Sequence, residues 1–269
     1  MGFLAGKTLL ITGIASERSI ALGVARACAK EGAKLVLTYA SDRLKERLEA
    51  FAKSFDAPLL KMDVADDASI KAVFESLATS GVRLDGLLHA IAFAPRDAIA
   101  GNFLDGFTRE NAKVAFDISA YSLSAVTREA LPVMKEKASI VTLSYLGAEK
   151  FVPRYNTMGV AKAALEASVR YLAGSLGAQG VRVNAISAGP VKTLSSAAIE
   201  NFSKMMHFTE SVAPLRRCVT TEEIGNLAAF LFSDLSSAVT GEVIHADAGF
   251  STVGAQMTFD EEGESHGNL

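Results

Sequence analysis

A chain of 269 residues, 49% of them hydrophobic, with a net charge of −3, is suited to one α/β domain with a large core. The near-neutral charge gives no electrostatic case for nucleic acid, no apolar run approaches the ~18 residues of a membrane span, and "MGFLAGKTLLITG" reads as a strand rather than a signal peptide. Cys28 and Cys218 are far apart and form no CxxC pair, which suits structural thiols in a reducing compartment, so a cytoplasmic protein is expected. Gly2 is no myristoylation site, because position 6 is Gly rather than Ser or Thr. No metal site is expected.

In chain order, short apolar runs fall at 8–13, 33–39, 57–64, 84–93, 138–144, 181–187 and 241–249. Amphipathic stretches lie between them. "SIALGVARACAKEG" puts Ile20, Val24 and Cys28 at i, i+4 and i+8, with Gly32 as a stop. Strand–helix alternation with near-continuous apolar strands predicts one doubly wound α/β domain over 1–255, built on a seven-stranded parallel sheet. The mean hydropathy of +0.25 agrees with strands buried on both faces and with buried subunit contacts.

The strand ends carry the polar signals. "TGIASERSIALG" after the first run is no G-x-G-x-x-G fingerprint. Its Gly13 and Ser19 suit either a phosphate-binding turn or an ordinary loop capped by Ser19. Asp63 ends the third run, where it faces an adenine or caps the next helix, although Asp66 and Asp67 are better placed to cap. "HAIAF" at 89–93 is small, as a backbone passing under a cofactor would need. Gly189-Pro190 forces a turn at the end of the sixth run, bringing Thr193 within reach of a carboxamide or phosphate.

Residues 193–217 form a long excursion, with Phe202, Met205 and Met206 at helical spacing. Such a stripe is ordinarily core. Its place at the carboxyl side of a strand predicts a substrate lid over about 193–213, mobile without ligand. The acidic stretch 256–269 is expected to be a flexible tail.

In "YNTMGVAK", Tyr155 and Lys162 stand seven apart, returning to nearly the same helix face roughly 10 Å along the axis. A second tyrosine, Tyr145, lies upstream in "LSYLG".

These segments together, with "SYLGAEKFVPRYNTMGVAKAALEA", "VRVNAISAGPVKT" and "SSAVTGEVIHADAGF", resemble the short-chain dehydrogenase/reductase superfamily over residues 2 to about 250. The chain is most similar to its bacterial NADH-dependent enoyl-acyl-carrier-protein reductase branch. The commoner Tyr-x3-Lys pattern would place the tyrosine at Met158, and the usual serine position holds Tyr145. A three-residue step along a helix changes direction by about 60° and height by about 4.5 Å. Tyr155 would then aim at a thioester oxygen rather than at the atom next to hydride attack.

The resemblance implies NADH as cofactor, an enoyl thioester on acyl carrier protein as substrate, and usually a homotetramer. It implies Tyr145, Tyr155 and Lys162 as catalytic residues. Gly13, Ser19, Ile20, Asp63, Val64, Ile91, Lys162, Val191, Lys192, Thr193, Leu194 and Ser195 would bind cofactor. Ala94, Tyr145, Tyr155, Met158, Phe202 and Met205 would line the substrate site. Ala40 replaces the usual Gln after the second strand and removes that adenosine contact. Near it, Arg43 and Arg47 are expected to pair with Glu46 and Glu49, and Asp42 to repel a 2′-phosphate, which favours NADH. Carrier-protein docking is expected near Lys204, Arg216 and Arg217, opposed by Glu200. The rival functions are a 3-oxoacyl (carbonyl) reductase of the same superfamily and a nucleotide-sensing protein without catalysis.

Overall fold

The strands are β1 (Thr8–Ile11), β2 (Lys34–Tyr39), β3 (Leu59–Lys61), β4 (Leu84–His89), β5 (Met134–Ser144), β6 (Arg182–Ala188) and β7 (Val243–Ala246). In the computed structural model they form one parallel sheet in the order β3-β2-β1-β4-β5-β6-β7. The structure describes residues 2–193 and 202–254, together with the backbone of 258–259 and 265–266. The helices are α1 (Ile20–Lys30), α2 (Asp42–Ser54), α3 (Asp67–Thr79), α4 (Phe103–Gly106), α5 (Arg109–Phe116), α6 (Ser122–Ala130), α7 (Asn156–Leu176), α8 (Phe202–Val212) and α9 (Thr221–Phe232).

Successive strand residues point to opposite faces, so each strand feeds two cores. Leu10 and Val36 join α3, α6 and α7 through Ile70, Leu123 and Leu165. Leu9, Ile11 and Leu37 join α1, α2 and α9 through Leu22, Leu48 and Phe232. Burial on both faces is why the strands read as unbroken apolar runs. The strand order reverses between β1 and β4, which opens the crevice where such sheets bind ligands.

Three boundaries differ from the sequence reading. β3 is only three residues long, because Pro58 precedes it and a turn at Asp63 ends it. β5 starts four residues before the apolar run. Its register shifts against Leu84/Gly86, and Lys137 sits at φ 61° in that irregular lead-in. β7 stops at Ala246, ahead of left-handed Ala248 and Gly249. In the expected tail, Thr258–Phe259 pairs antiparallel with Ser265–His266, and the other residues from 255 onward lie outside the described ones.

Gly23 does not serve a phosphate. A Cβ there would lie 2.3 Å from the Thr221 carbonyl, so this glycine lets α1 pack closely against α9. Among the described residues no helix is long and apolar enough to cross a membrane, and no cluster of three or more His, Cys, Asp or Glu is placed to hold a metal. Both cysteines are free thiols. Cys28 is buried in α1, and burial pushes its pKa up to about 12.

Candidate active site

The carboxyl ends of β1 and β4 form one wall. Gly13 has φ 82°, and a Cβ on it would lie 1.9 Å from the Ala90 carbonyl, so no other residue fits. Ser19 occupies the N-cap position of α1 but makes no side-chain cap. Its Oγ instead accepts from the Ala15 and Ser16 amides at 3.0 and 2.9 Å, which shapes the loop. Of the two alternatives for this loop, the ordinary one capped by the Ser19 side chain is not realised. The Leu22 and Gly23 amides donate to the Ser19 carbonyl at 3.0 and 3.3 Å, and the Ile20 and Ala21 amides at the head of α1 have no partner among the described residues, the arrangement an anionic pyrophosphate needs.

Asp63 is exposed past β3. Its Oδ1 accepts from the Ala65 amide at 3.0 Å, while Asp66 caps α3 through the Ala68 amide at 2.9 Å. Asp63 is thus not the helix cap, and its second oxygen points to no described donor. Val64 is buried and Ile91 packs on the core beside it. Val191 rests on the opposite core, and Lys192 and Thr193 follow at the rim. Leu194 and Ser195 lie outside the described residues.

The expected charge pairing past β2 needs correction. Arg47 does not pair with a glutamate: its Nη1 donates to the Ala15 carbonyl at 3.0 Å, latching α2 to the loop after β1. Lys45 pairs with Glu49 instead, and Asp42 pairs with Lys61 at 2.9 Å. Asp42 is therefore partly neutralised, and Arg43 forms no ion pair with a described residue.

Tyr155 stands immediately before α7 with near-helical dihedrals, φ −88° and ψ −28°, so the seven-residue spacing to Lys162 operates. It is flanked by Arg154 at φ 66° and Asn156 at φ 40°. Such conformations cost on the order of 1 kcal/mol each and concentrate at functional sites. Asn156 Nδ2 holds the Ala100 and Gly101 carbonyls, each at 3.3 Å. The Tyr155 ring meets Tyr145 edge-on, with centroids 4.8 Å apart. Ala94 and Met158 pack in the same cluster.

Burial raises the Tyr155 pKa well above the ordinary tyrosine range, with Tyr145 and Glu166 adding to it. The phenol is held protonated, and its hydroxyl bonds to no described residue. Lys162 is only 6% exposed, and burial lowers its pKa to about 8. Its Nζ donates to the Leu143 carbonyl at 2.6 Å, leaving two of three donors for a ligand.

Around this pair the structure adds features that the sequence reading did not name. A π-helical turn, Asp117–Tyr121, interrupts the helix between α5 and α6. From it Ser119 Oγ accepts from the Phe93 amide and donates to the Phe93 carbonyl, both at 2.9 Å. That fixes the backbone between Ile91 and Ala94. Glu166, buried on α7, accepts from Ser144 Oγ.

α8 confirms the helical spacing of the Phe202–Met205–Met206 stripe. Phe202, Thr209 and Val212 are buried on its inner face. Tyr145 Oη donates to Met205 Sδ at 3.3 Å, so this helix lies against the tyrosine pair. Residues 194–201 of the expected lid, including Glu200, lie outside the described residues. Of the expected docking cations, Arg217 is taken by Glu223 in a two-pronged pair at 2.9 and 2.6 Å. Arg216 donates to the Ser211 carbonyl, and Lys204 is exposed.

A Tyr–Lys pair on the helix that follows the fifth strand of such a sheet is the arrangement of the short-chain dehydrogenase/reductase class. The chain belongs to the enoyl-(acyl carrier protein) reductase family within it, whose model matches residues 13–251. It is 52% identical over 252 residues to the NADH-dependent enoyl-[acyl-carrier-protein] reductase FabI of Haemophilus influenzae, covering 93% of this chain and 96% of that protein. It superposes on the Bacillus cereus enoyl-acyl carrier protein reductase, solved with NADP+ and indole naphthyridinone, with TM-score 0.93 and 48% identity. That match covers 95% of this chain and all of the other. The enzyme of Anaplasma phagocytophilum in complex with NAD matches at TM-score 0.89 and 41% identity, over 94% of this chain and 95% of its own.

The position of Tyr155 depends on Gly147. A Cβ on Gly147 would lie 2.3 Å from Tyr155 Cδ1. Gly147→Ala is therefore expected to push the ring aside, lowering kcat by about 10- to 100-fold. Far-UV circular dichroism and NADH affinity, read by fluorescence titration, should stay at wild-type levels.

Proposed function

We propose that the protein reduces the trans-2 double bond of enoyl thioesters carried on acyl carrier protein, using NADH, in the last step of each fatty-acid elongation cycle. The observation that carries this reading is the Tyr155 phenol, held protonated by burial and without a described partner, two helical turns from a buried lysine. Three residues further on, Met158 is buried where a carbonyl reductase would need its proton donor, and a thioether has no proton to give.

NADH, when bound, would supply the hydride that C3 of the enoyl group accepts. The residues present fit it: Gly13 lets the backbone approach, the amides of α1 face a pyrophosphate, and Lys162 has two free donors for ribose hydroxyls. As charge develops on the thioester oxygen, the Tyr155 hydroxyl donates to it, an interaction stronger in the transition state than in the ground state. The Lys162 ammonium favours the same anion through space. Tyr145, Ala94, Met158, Phe202 and Met205 shape the apolar surroundings, with α8 as a lid over the acyl chain.

The α7 face carrying Val160, Ala163, Ala167 and Tyr171 lies outward, with Tyr171 81% exposed. Its small residues suit close packing of a second copy, which supports a homotetramer. Two free thiols support a cytoplasmic setting.

Tyr155→Phe removes only the hydroxyl, so cofactor binding should persist while turnover falls by about 10²–10⁴. Lys162→Ala should weaken NADH binding as well. Wild-type enzyme should consume NADH with crotonyl thioester and not with acetoacetyl thioester, followed at 340 nm. The reverse preference would establish the carbonyl-reductase reading, and activity with neither would favour the nucleotide sensor.

Ala40 and Ser41 offer no cation to a 2′-phosphate, and Asp42 holds Lys61. NADH should have the higher kcat/KM of the two cofactors, and Arg43→Ala should leave its KM unchanged. A higher value with NADPH would assign Arg43 to the phosphate.

If α7 is an assembly face, Tyr171→Glu should lower the mass measured by light scattering below that of the tetramer. An unchanged mass would remove that face from the interface.

A further inference from the structure

Behind the Tyr–Lys pair lies a buried group that the chemistry above does not use. Glu166 stands one helical turn beyond Lys162 on α7, and both are 6% exposed. Lys162 Nζ is held by the Leu143 carbonyl, and the Glu166 carboxylate by the hydroxyl of the next residue, Ser144. Two consecutive residues at the end of β5 thus grip two oppositely charged side chains of one helix. A carboxylate this deep is unfavourable unless it is hydrogen-bonded or serves a nearby charge.

The surrounding groups come from every neighbouring element. Glu149, after the turn Leu146–Ala148, lies 3.1 Å from His245 Nε2 on β7. Arg170 follows one turn further along α7. Tyr155 lies towards the substrate side. On β4, His89 is kept neutral, its pKa lowered to about 3 by burial and by Lys162. Burial raises the Glu166 pKa, the Ser144 hydroxyl opposes the rise, Glu149 adds to it, and His245 and Arg170 oppose it. Burial lowers Lys162 to about 8, and Glu166 is the group that opposes the fall. With a midpoint that close to neutrality, the opposition decides how much of the lysine is charged.

We propose that Glu166 is a positioning residue that keeps the Lys162 ammonium charged, and through it sets the upper pH limit of cofactor binding. The inference rests on the reading of Lys162 as the cofactor lysine. Glu166→Gln is the direct probe. It keeps the shape and can still accept from Ser144, but it removes the charge.

The first readout is the titration of the Lys162 ammonium in cofactor-free protein, by NMR of labelled lysine with Lys162→Ala to assign the signal. In Glu166→Gln the midpoint should move to lower pH by about one unit. The second readout is the NADH dissociation constant from pH 6 to 9. Glu166→Gln should bind like wild type at pH 6, about fivefold more weakly at pH 8 and about tenfold more weakly at pH 9, as expected for a midpoint displaced by about one unit. Glu166→Asp, which restores the charge, should restore the affinity. An unmoved lysine midpoint overturns the proposal. A moved midpoint without pH-dependent loss of NADH affinity overturns the link to the cofactor and the reading of Lys162 with it. The two failures are distinguishable because the first readout uses no cofactor. The wild-type protein gives a test free of any folding defect. The Glu166 carboxyl ¹³C signal should respond at the Lys162 midpoint, and a signal indifferent to it overturns the coupling.

Discussion

The hydrogen bond from Lys162 Nζ to the Leu143 carbonyl, 2.6 Å long, is the constraint around which the site is arranged. An ammonium moved from water into a protein interior is destabilised by several kcal/mol unless polar groups meet it. Here the carbonyl at the end of β5 meets it, and the carboxylate of Glu166 lies one turn away. The bond ties α7 to the end of β5, while Leu165, Val169 and Ala173 seat the helix in the core against the sheet. Once the helix is so seated, Tyr155 has one possible height above the strand ends. Gly147 leaves room for its ring, and Tyr145 closes it from the side. The left-handed residues on either side of Tyr155 are tolerated because the surrounding packing leaves the chain no alternative path.

The same burial that makes Lys162 responsive makes Tyr155 a donor. Desolvation disfavours the charged form of any group. For a phenol it retains the proton, and for an ammonium it loosens it. Two residues seven apart are thereby pushed in opposite directions along the pKa scale, the phenol towards keeping its proton and the ammonium towards losing one. An acid held for an enolate oxygen needs no base beside it in the ground state. The hydroxyl of Tyr155, without a described partner, agrees with that.

The sheet was legible because parallel strands buried on both faces leave a simple trace, a run of apolar residues ending in Gly, Ser or Asp. Strand ends were less legible. The bulge at Lys137 and the short β3 depend on partners distant in sequence. The pair Tyr155 and Lys162 was legible from spacing, and the helix at Phe202 from its stripe. Side-chain partners were not. Ser19 and Arg47 fold onto the loop after β1, and Asp42 meets Lys61 across neighbouring strand ends, because tertiary geometry outcompetes the local helix pairs that sequence suggests. Glu166 left no signal, since a glutamate in "AALEA" reads as the solvent face of a helix.

Glu166 also shows why a buried polar network can serve better than an apolar one at this point. Replacing a buried ionic group by a hydrophobic residue often raises stability. Here such a replacement would leave Ser144 without its acceptor and Lys162 without its nearby anion. On the proposed reading the lysine is charged when ribose and a developing enolate are present, and a charge that survives desolvation needs a counter-charge within the same low-dielectric volume. β5 supplies the anchors for both from two adjacent residues, so any shift of α7 along the sheet would disturb lysine and carboxylate together. Charge state and position are thereby coupled to one register, that of a single helix on a single strand end.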